Sequence, residues 1–145
     1  MPERHSPVRT LARLSRLLEH ACDELTMPQY RVLAMVAGGD ERASWLAGRL
    51  SLAKPTVSAA VDGLVERGLL VREAVAGDRR AVRLGVTPAG RKQLARTERA
   101  MAERLGAVLE QTRDPEAVDA ALADLASALD GFMAERVGRR PGGGK

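Results

Sequence analysis

The chain has 145 residues, 45% of them hydrophobic and 29% charged, which suits one globular domain and leaves little room for two. Aromatics make up 2%, so a core must come from Leu, Val, Ala and Met, which favours helix packed on helix; the single cysteine excludes a disulfide framework and a Cys-rich zinc site. There is no apolar leader and no run of about 18 apolar residues, so the expected location is the cytoplasm, with no membrane partner. The net charge is +4, but residues 42–92 hold ten basic and four acidic side chains, whereas residues 93–137 hold five and nine. A basic block on a modestly charged protein is the electrostatic footprint of a nucleic-acid reader.

Residues 8–25 place Val8, Leu11, Leu14, Leu18, Ala21 and Leu25 at three- and four-residue steps, an amphipathic helix. Thr26-Met27-Pro28-Gln29 then reads as a capping box that opens a second helix, ending at Gly38-Gly39. Ser44 is the expected N-cap of a short helix, Trp45–Leu50. A longer helix follows from about Pro55 to Arg67, with Val57, Val61, Leu64 and Val65 inward and Gly68 ending it. Two helices joined by a tight turn, the second longer, form a helix-turn-helix.

The periodicity then changes. Leu69–Val75 reads as a strand, and Val82, Leu84 and Val86 alternate with Arg83 and Gly85 as a second. Ala76-Gly77-Asp78-Arg79-Arg80 is the expected turn between them, so a β-hairpin wing follows the helix-turn-helix. Thr87-Pro88 starts a further helix, striped by Leu94, Met101, Leu105, Val108 and Leu109. Asp114-Pro115-Glu116 starts the last helix, in which Val118, Leu122, Leu125, Leu129 and Phe132 keep near-heptad spacing. The tail 138–145 reads as disordered.

The expected fold is therefore mainly α with a small β-hairpin wing, as one domain. A winged helix-turn-helix spans 26–87, and helices over 8–25 and 88–136 flank it. The flanking helices must bury their apolar stripes, either back onto the chain or against a second copy; the homodimer is the economical reading. It would offer two reading helices to successive major grooves of a pseudo-palindromic site.

On the reading helix, Thr56 and Ser58 carry short hydroxyls that suit base edges or phosphates, or else cap the helix locally. Lys54 can neutralise a phosphate beside the helix N-terminus, with Pro55 and Ala59 on the same approach. Arg79 is a phosphate contact or a solvated side chain, and so is Arg83. Ser44 is a further DNA-facing candidate, and Arg42 and Arg49 are weaker ones. Arg80 is the wing residue expected to reach the minor groove. Arg72 is expected to make a structural bond at the wing base.

The ordered set Leu25-Thr26-Met27-Pro28-Gln29-Tyr30, Leu46-Ala47 with Leu50, Thr56-Val57-Ser58 with Leu64, Gly68-Leu69-Leu70-Val71-Arg72, Asp78-Arg79-Arg80 and Val86-Thr87-Pro88-Ala89-Gly90 resembles the MarR family of transcription regulators. Ser44-Trp45-Leu46-Ala47 departs from the family pattern, in which an acidic residue is common before the Leu-Ala pair. The resemblance implies a DNA-binding homodimer, usually a repressor, that needs no cofactor. It implies that Asp78 braces Arg80 instead of touching DNA. It also implies a small aromatic or phenolic effector between the dimerisation helices and the reading unit, where Arg16, His20, Tyr30, Arg31 and Trp45 are the candidate lining.

No Ser-His-Asp set, metal-ligand cluster or phosphate loop points to an enzyme. Two alternatives stay open. Some relatives sense peroxide through a cysteine in the first helix with tyrosine partners; Cys22 lies six residues before Pro28, and Tyr30 is the only tyrosine. A non-specific architectural DNA binder is the other.

Overall fold

Free amides at a helix start need partners, and four of the six helices among the described residues find theirs in a side chain one turn back. The computed structural model describes residues 6–39 and 42–138, so the expected tail lies outside the described residues from 139 onward. Helix α1 spans Pro7–Ala21, α2 Met27–Ala37, α3 Ala43–Leu50, α4 Lys54–Glu66, α5 Pro88–Leu109 and α6 Pro115–Gly138; strands β1, Leu70–Val75, and β2, Asp78–Val86, lie between α4 and α5.

The capping box at α2 forms in full: the Gln29 amide donates to Thr26 Oγ1 at 3.3 Å, and the Thr26 amide donates to Gln29 Oε1 at 3.1 Å. At the far end of α4 the Gly68 amide donates to Val65 O and the Leu69 amide to Leu64 O, a Schellman closure that needs Gly68 at φ +70°. Gly138, expected in the tail, is the last residue of α6.

Two boundaries differ from the sequence reading. Helix α1 stops at Ala21, and residues 22–26 form a loop that plants Leu25 in the core. Burying Leu25 in the core outweighs one more helical turn. Ser44 does not cap α3: the cap position is Arg42, which provides no side-chain bond, and Ser44 lies inside the first turn. The reason is tertiary. Arg42 is extended, at φ −89° and ψ 112°, because it forms a β-bridge with Arg83 of β2. That bridge adds a short third edge to the wing.

The core joins α2, α3, α4 and the hairpin through Val32, Leu33, Val36, Leu46, Val57, Val61, Leu64, Leu70 and Leu84. The buried residues of α5 are Gly90, Gln93, Thr97 and Met101; of the rest of the predicted stripe, Leu94 packs half-buried against the core and Val108 is exposed. Gln93 and Thr97 can be buried because Gln93 Nε2 donates to Thr97 Oγ1 at 3.4 Å. Apolar side chains of the terminal helices are left outside. Val8 is 76% exposed, Leu129 52% and Phe132 55%, with Leu11, Val108 and Leu125 also exposed. No helix among the described residues is long and apolar enough to cross a membrane.

Candidate nucleic-acid interface

Helix α4 is amphipathic about the core. Val57, Ala60, Val61 and Leu64 face inward, so Lys54, Pro55, Thr56, Ser58 and Ala59 are all exposed on its other side. Its N-cap is Ala53, which has no side chain to accept a hydrogen bond. The first-turn amides and the positive end of the helix dipole are therefore open to an anion beside the Lys54 ammonium. Thr56 does not cap the helix, so its hydroxyl stays available. The turn before α4 is tight: Ser51 takes the left-handed conformation at φ 52°, ψ 36°.

The wing tip is built differently from a simple loop. Ala76 and Gly77, the latter at φ +86°, make a two-residue turn, and Val75 pairs with Asp78 across it. Asp78, Arg79 and Arg80, expected in the turn, thus lie in β2. The register holds from Leu70↔Val86 to Ala74↔Val82 and then shifts, so residues 79–81 bulge from the ladder. Asp78 Oδ1 accepts from the Arg80 main-chain N–H at 3.0 Å. The carboxylate braces the backbone of the bulge and leaves the guanidinium free to point outward. Arg79 and Arg80 are both exposed.

At the base, Arg72 Nη2 donates to Asp62 Oδ1 at 2.5 Å, tying β1 to the middle of α4. This bond connects the two surfaces that would meet DNA. Ser44 is exposed on α3, two residues after Arg42, whose guanidinium lies 4.7 Å over the Trp45 ring.

A second feature lies between α1, α2 and α5. Leu11, Leu14, Ser15 and Leu18 of α1, Met27, Tyr30 and Arg31 of α2 and Met101 of α5 line a cleft of about 320 Å³. Tyr30 and Arg31 were expected near an effector; Arg16, His20 and Trp45 are not in this lining. His20 Nδ1 instead bonds Arg16 O at 2.7 Å within its own helix, and Trp45 is exposed on α3. Apart from Tyr30 and Arg31, the lining was not foreseen. The α1 leucines read as core stripe, and only the folded spacing of α1, α2 and α5 shows that they flank a gap.

Cys22 is half-buried at the end of α1, and burial first, then the carboxylates of Glu19 and Asp23, push its thiol pKa up. Burial, Glu98 and Cys22 likewise raise the Tyr30 phenol. The raised thiol pKa means less than the few per cent thiolate of an ordinary cysteine at pH 7. Alkylation of Cys22 should be slow at pH 7 and accelerate only above the ordinary thiol range of ~8.5, as stopped-flow maleimide labelling across pH will measure. Fast labelling below pH 7 would contradict the assigned surroundings. No group of three His, Cys, Asp or Glu side chains able to hold a metal occurs among the described residues.

A reading helix, a wing beside it and long terminal helices define a winged-helix DNA-binding protein. A sequence model of the MarR family matches residues 24–81. The transcriptional repressor CouR, solved bound to a 23-mer DNA duplex, is 30% identical, with TM-score 0.71 over 84% of this chain and 88% of that one. PcaV from Streptomyces coelicolor, solved with its natural ligand, is 25% identical, with TM-score 0.66 over 86% and 89%. A point mutant of MepR from S. aureus, solved bound to an oligodeoxyribonucleotide, shares the fold at 21% identity, with TM-score 0.60 over 86% and 94%. Comparison with curated proteins gives no match. The chain belongs to the MarR family of transcription regulators: it is a DNA-binding protein and not an enzyme.

Proposed function

We propose that the protein is a homodimeric repressor that reads a pseudo-palindromic operator and leaves it when a small molecule enters the cleft. The observation that carries this reading is the placement of two exposed cationic surfaces together. The uncapped start of α4, with Lys54, Thr56 and Ser58, is joined through Asp62–Arg72 to a wing that presents Arg79 and Arg80. In this reading α4 enters the major groove and Arg80 the adjacent minor groove, Lys54 and Arg79 meet phosphates, and Pro55, Ala59 and Ser44 line the approach.

The dimer is supported by the apolar residues left exposed on α1, α5 and α6, which a second copy would cover. The 23-mer bound to CouR is long enough for two half-sites one turn, about 10 bp, apart. Effector release is supported by the cleft, which α5 shares with α1 and α2, and by the ligand-bound state of PcaV. Tyr30 and Arg31 are the polar groups that would orient an aromatic or phenolic effector among the leucines and methionines.

The test uses a duplex selected by the full-length protein from a random-core library, titrated at several salt concentrations. Arg80→Ala is expected to weaken binding by about 1–3 kcal/mol and to relax sequence preference at the flanks. Lys54→Ala is expected to lower the salt slope by about one. If selection returns no preferred sequence at physiological salt, the protein is a non-specific binder and this reading fails.

A further inference from the structure

The loop between α1 and α2 has no part in the reading of DNA described above, yet two arginines from distant parts of the chain converge on it. Arg67 closes α4, and its Nη1 donates to the main-chain oxygen of Glu24 at 2.6 Å. Arg96 lies on α5, and its Nη1 donates to Glu24 Oε1 at 3.4 Å. One loop residue thus holds the end of the reading helix through its backbone and the long helix α5 through its side chain. The loop itself is firmly seated, with Leu25 in the core and Thr26 capping α2.

We propose that Glu24 is the joint that sets the pitch of α4 on DNA, with Arg67 and Arg96 as positioning residues that do not touch the nucleic acid. Arg67 stands at the opposite end of α4 from the uncapped N-terminus. Eleven residues separate it from Thr56, about 16 Å along the axis. A small tilt imposed at the Arg67 end is therefore carried the length of the helix to the side chains that face bases. The joint also lies where the walls of the cleft meet: α1 ends at this loop, α2 begins at it and α5 is pinned to it by Arg96. A change in the spacing of α1 and α5 is delivered to α4 through the same residue.

The inference rests on α4 being the reading helix, and the test separates the two. The full-length protein and its variants are titrated against the selected duplex over a range of salt, after thermal melts establish that each variant is folded. Arg67→Ala is expected to weaken binding about three- to tenfold with an unchanged salt slope, since no phosphate contact is lost. Arg67→Lys, which keeps a donor for the Glu24 carbonyl, should recover at least half of the loss. Arg96→Ala, an exposed pair on which folding does not depend, should weaken binding in the same direction, and the Arg67→Ala/Arg96→Ala double variant should lose less than the sum. Arg99→Ala removes the same charge from α5 at an exposed position and should leave affinity unchanged. Unchanged affinity in Arg67→Ala and Arg96→Ala overturns the joint. A slope lowered by about one in Arg67→Ala overturns it as well, because Arg67 would then be a phosphate contact. If Lys54→Ala and Thr56→Ala also leave binding intact, the assignment of α4 as reader falls with it.

Discussion

Gly90→Ala is expected to destabilise the protein by about 3 kcal/mol or more, a drop of roughly 6–12 °C in melting temperature for a chain of this size. A Cβ at residue 90 would lie 2.1 Å from Leu69 O and 3.0 Å from Val86 Cγ1. The first of these is backbone, which has no rotamer to swing away. The same junction is tied by three further bonds: the Thr87 amide donates to Leu69 O at 3.2 Å, Thr87 Oγ1 to Gly68 O at 2.6 Å and the Gly90 amide to Thr87 Oγ1 at 3.0 Å. Here the end of α4, the start of β1, the end of β2 and the first turn of α5 meet within a few residues. Moving α5 out to admit the methyl therefore breaks the connection between the reading unit and the helix that leaves it. Thermal melts with Gly106→Ala as the control decide the matter, because a Cβ at Gly106 meets nothing within 4 Å. A Gly90→Ala protein as stable as the parent would show that the junction yields without cost.

In the proposed homodimer, Leu129→Glu is expected to raise the dissociation constant by roughly 100-fold or more, about 3 kcal/mol. In a two-fold interface each substitution counts twice, since the same patch is contributed by both copies. Leu129 is 52% exposed on α6, with Leu125 one turn before it and Phe132 close after it. A carboxylate placed there is well solvated in the monomer and must be desolvated in the seam. Sedimentation equilibrium measures the constant, and the loss should carry over to DNA, because two half-sites can be read together only by a dimer. If Leu129→Glu remains as tightly dimeric as the parent, the second copy does not cover this face of α6.

Part of this architecture is local and was legible residue by residue. Thr26 with Gln29, Thr87 with Pro88, Asp114 with Pro115 and the glycine after α4 each satisfy backbone groups within one turn. Such signals need no knowledge of the rest of the chain, so the order of helices, the hairpin and the exposed start of α4 could be read from them. The basic middle third and the alternation of Val82, Leu84 and Val86 were equally visible.

The wing tip shows where that kind of reading stops. Asp78, Arg79 and Arg80 look like turn residues because they are polar and follow a glycine. Pairing of Val75 with Asp78 across a two-residue turn puts them into a bulged strand, and the Asp78 carboxylate takes the Arg80 amide. The start of α3 was decided by Arg42 pairing with Arg83 forty-one residues away. Gln93 and Thr97 are polar, so periodicity assigns them outward, yet mutual hydrogen bonding lets them be buried along with Met101, while Leu94 packs half-buried against the core.

The sequence alone thus determined the elements, their order and the basic surface, because each depends on bonds or charges counted along a few residues. Only the tertiary structure decided which side of α5 is buried, that residues of α1, α2 and α5 enclose a cleft, and that Glu24 receives both Arg67 and Arg96. The last of these depends on contacts between residues 43 and 72 positions apart, for which no local periodicity leaves a trace.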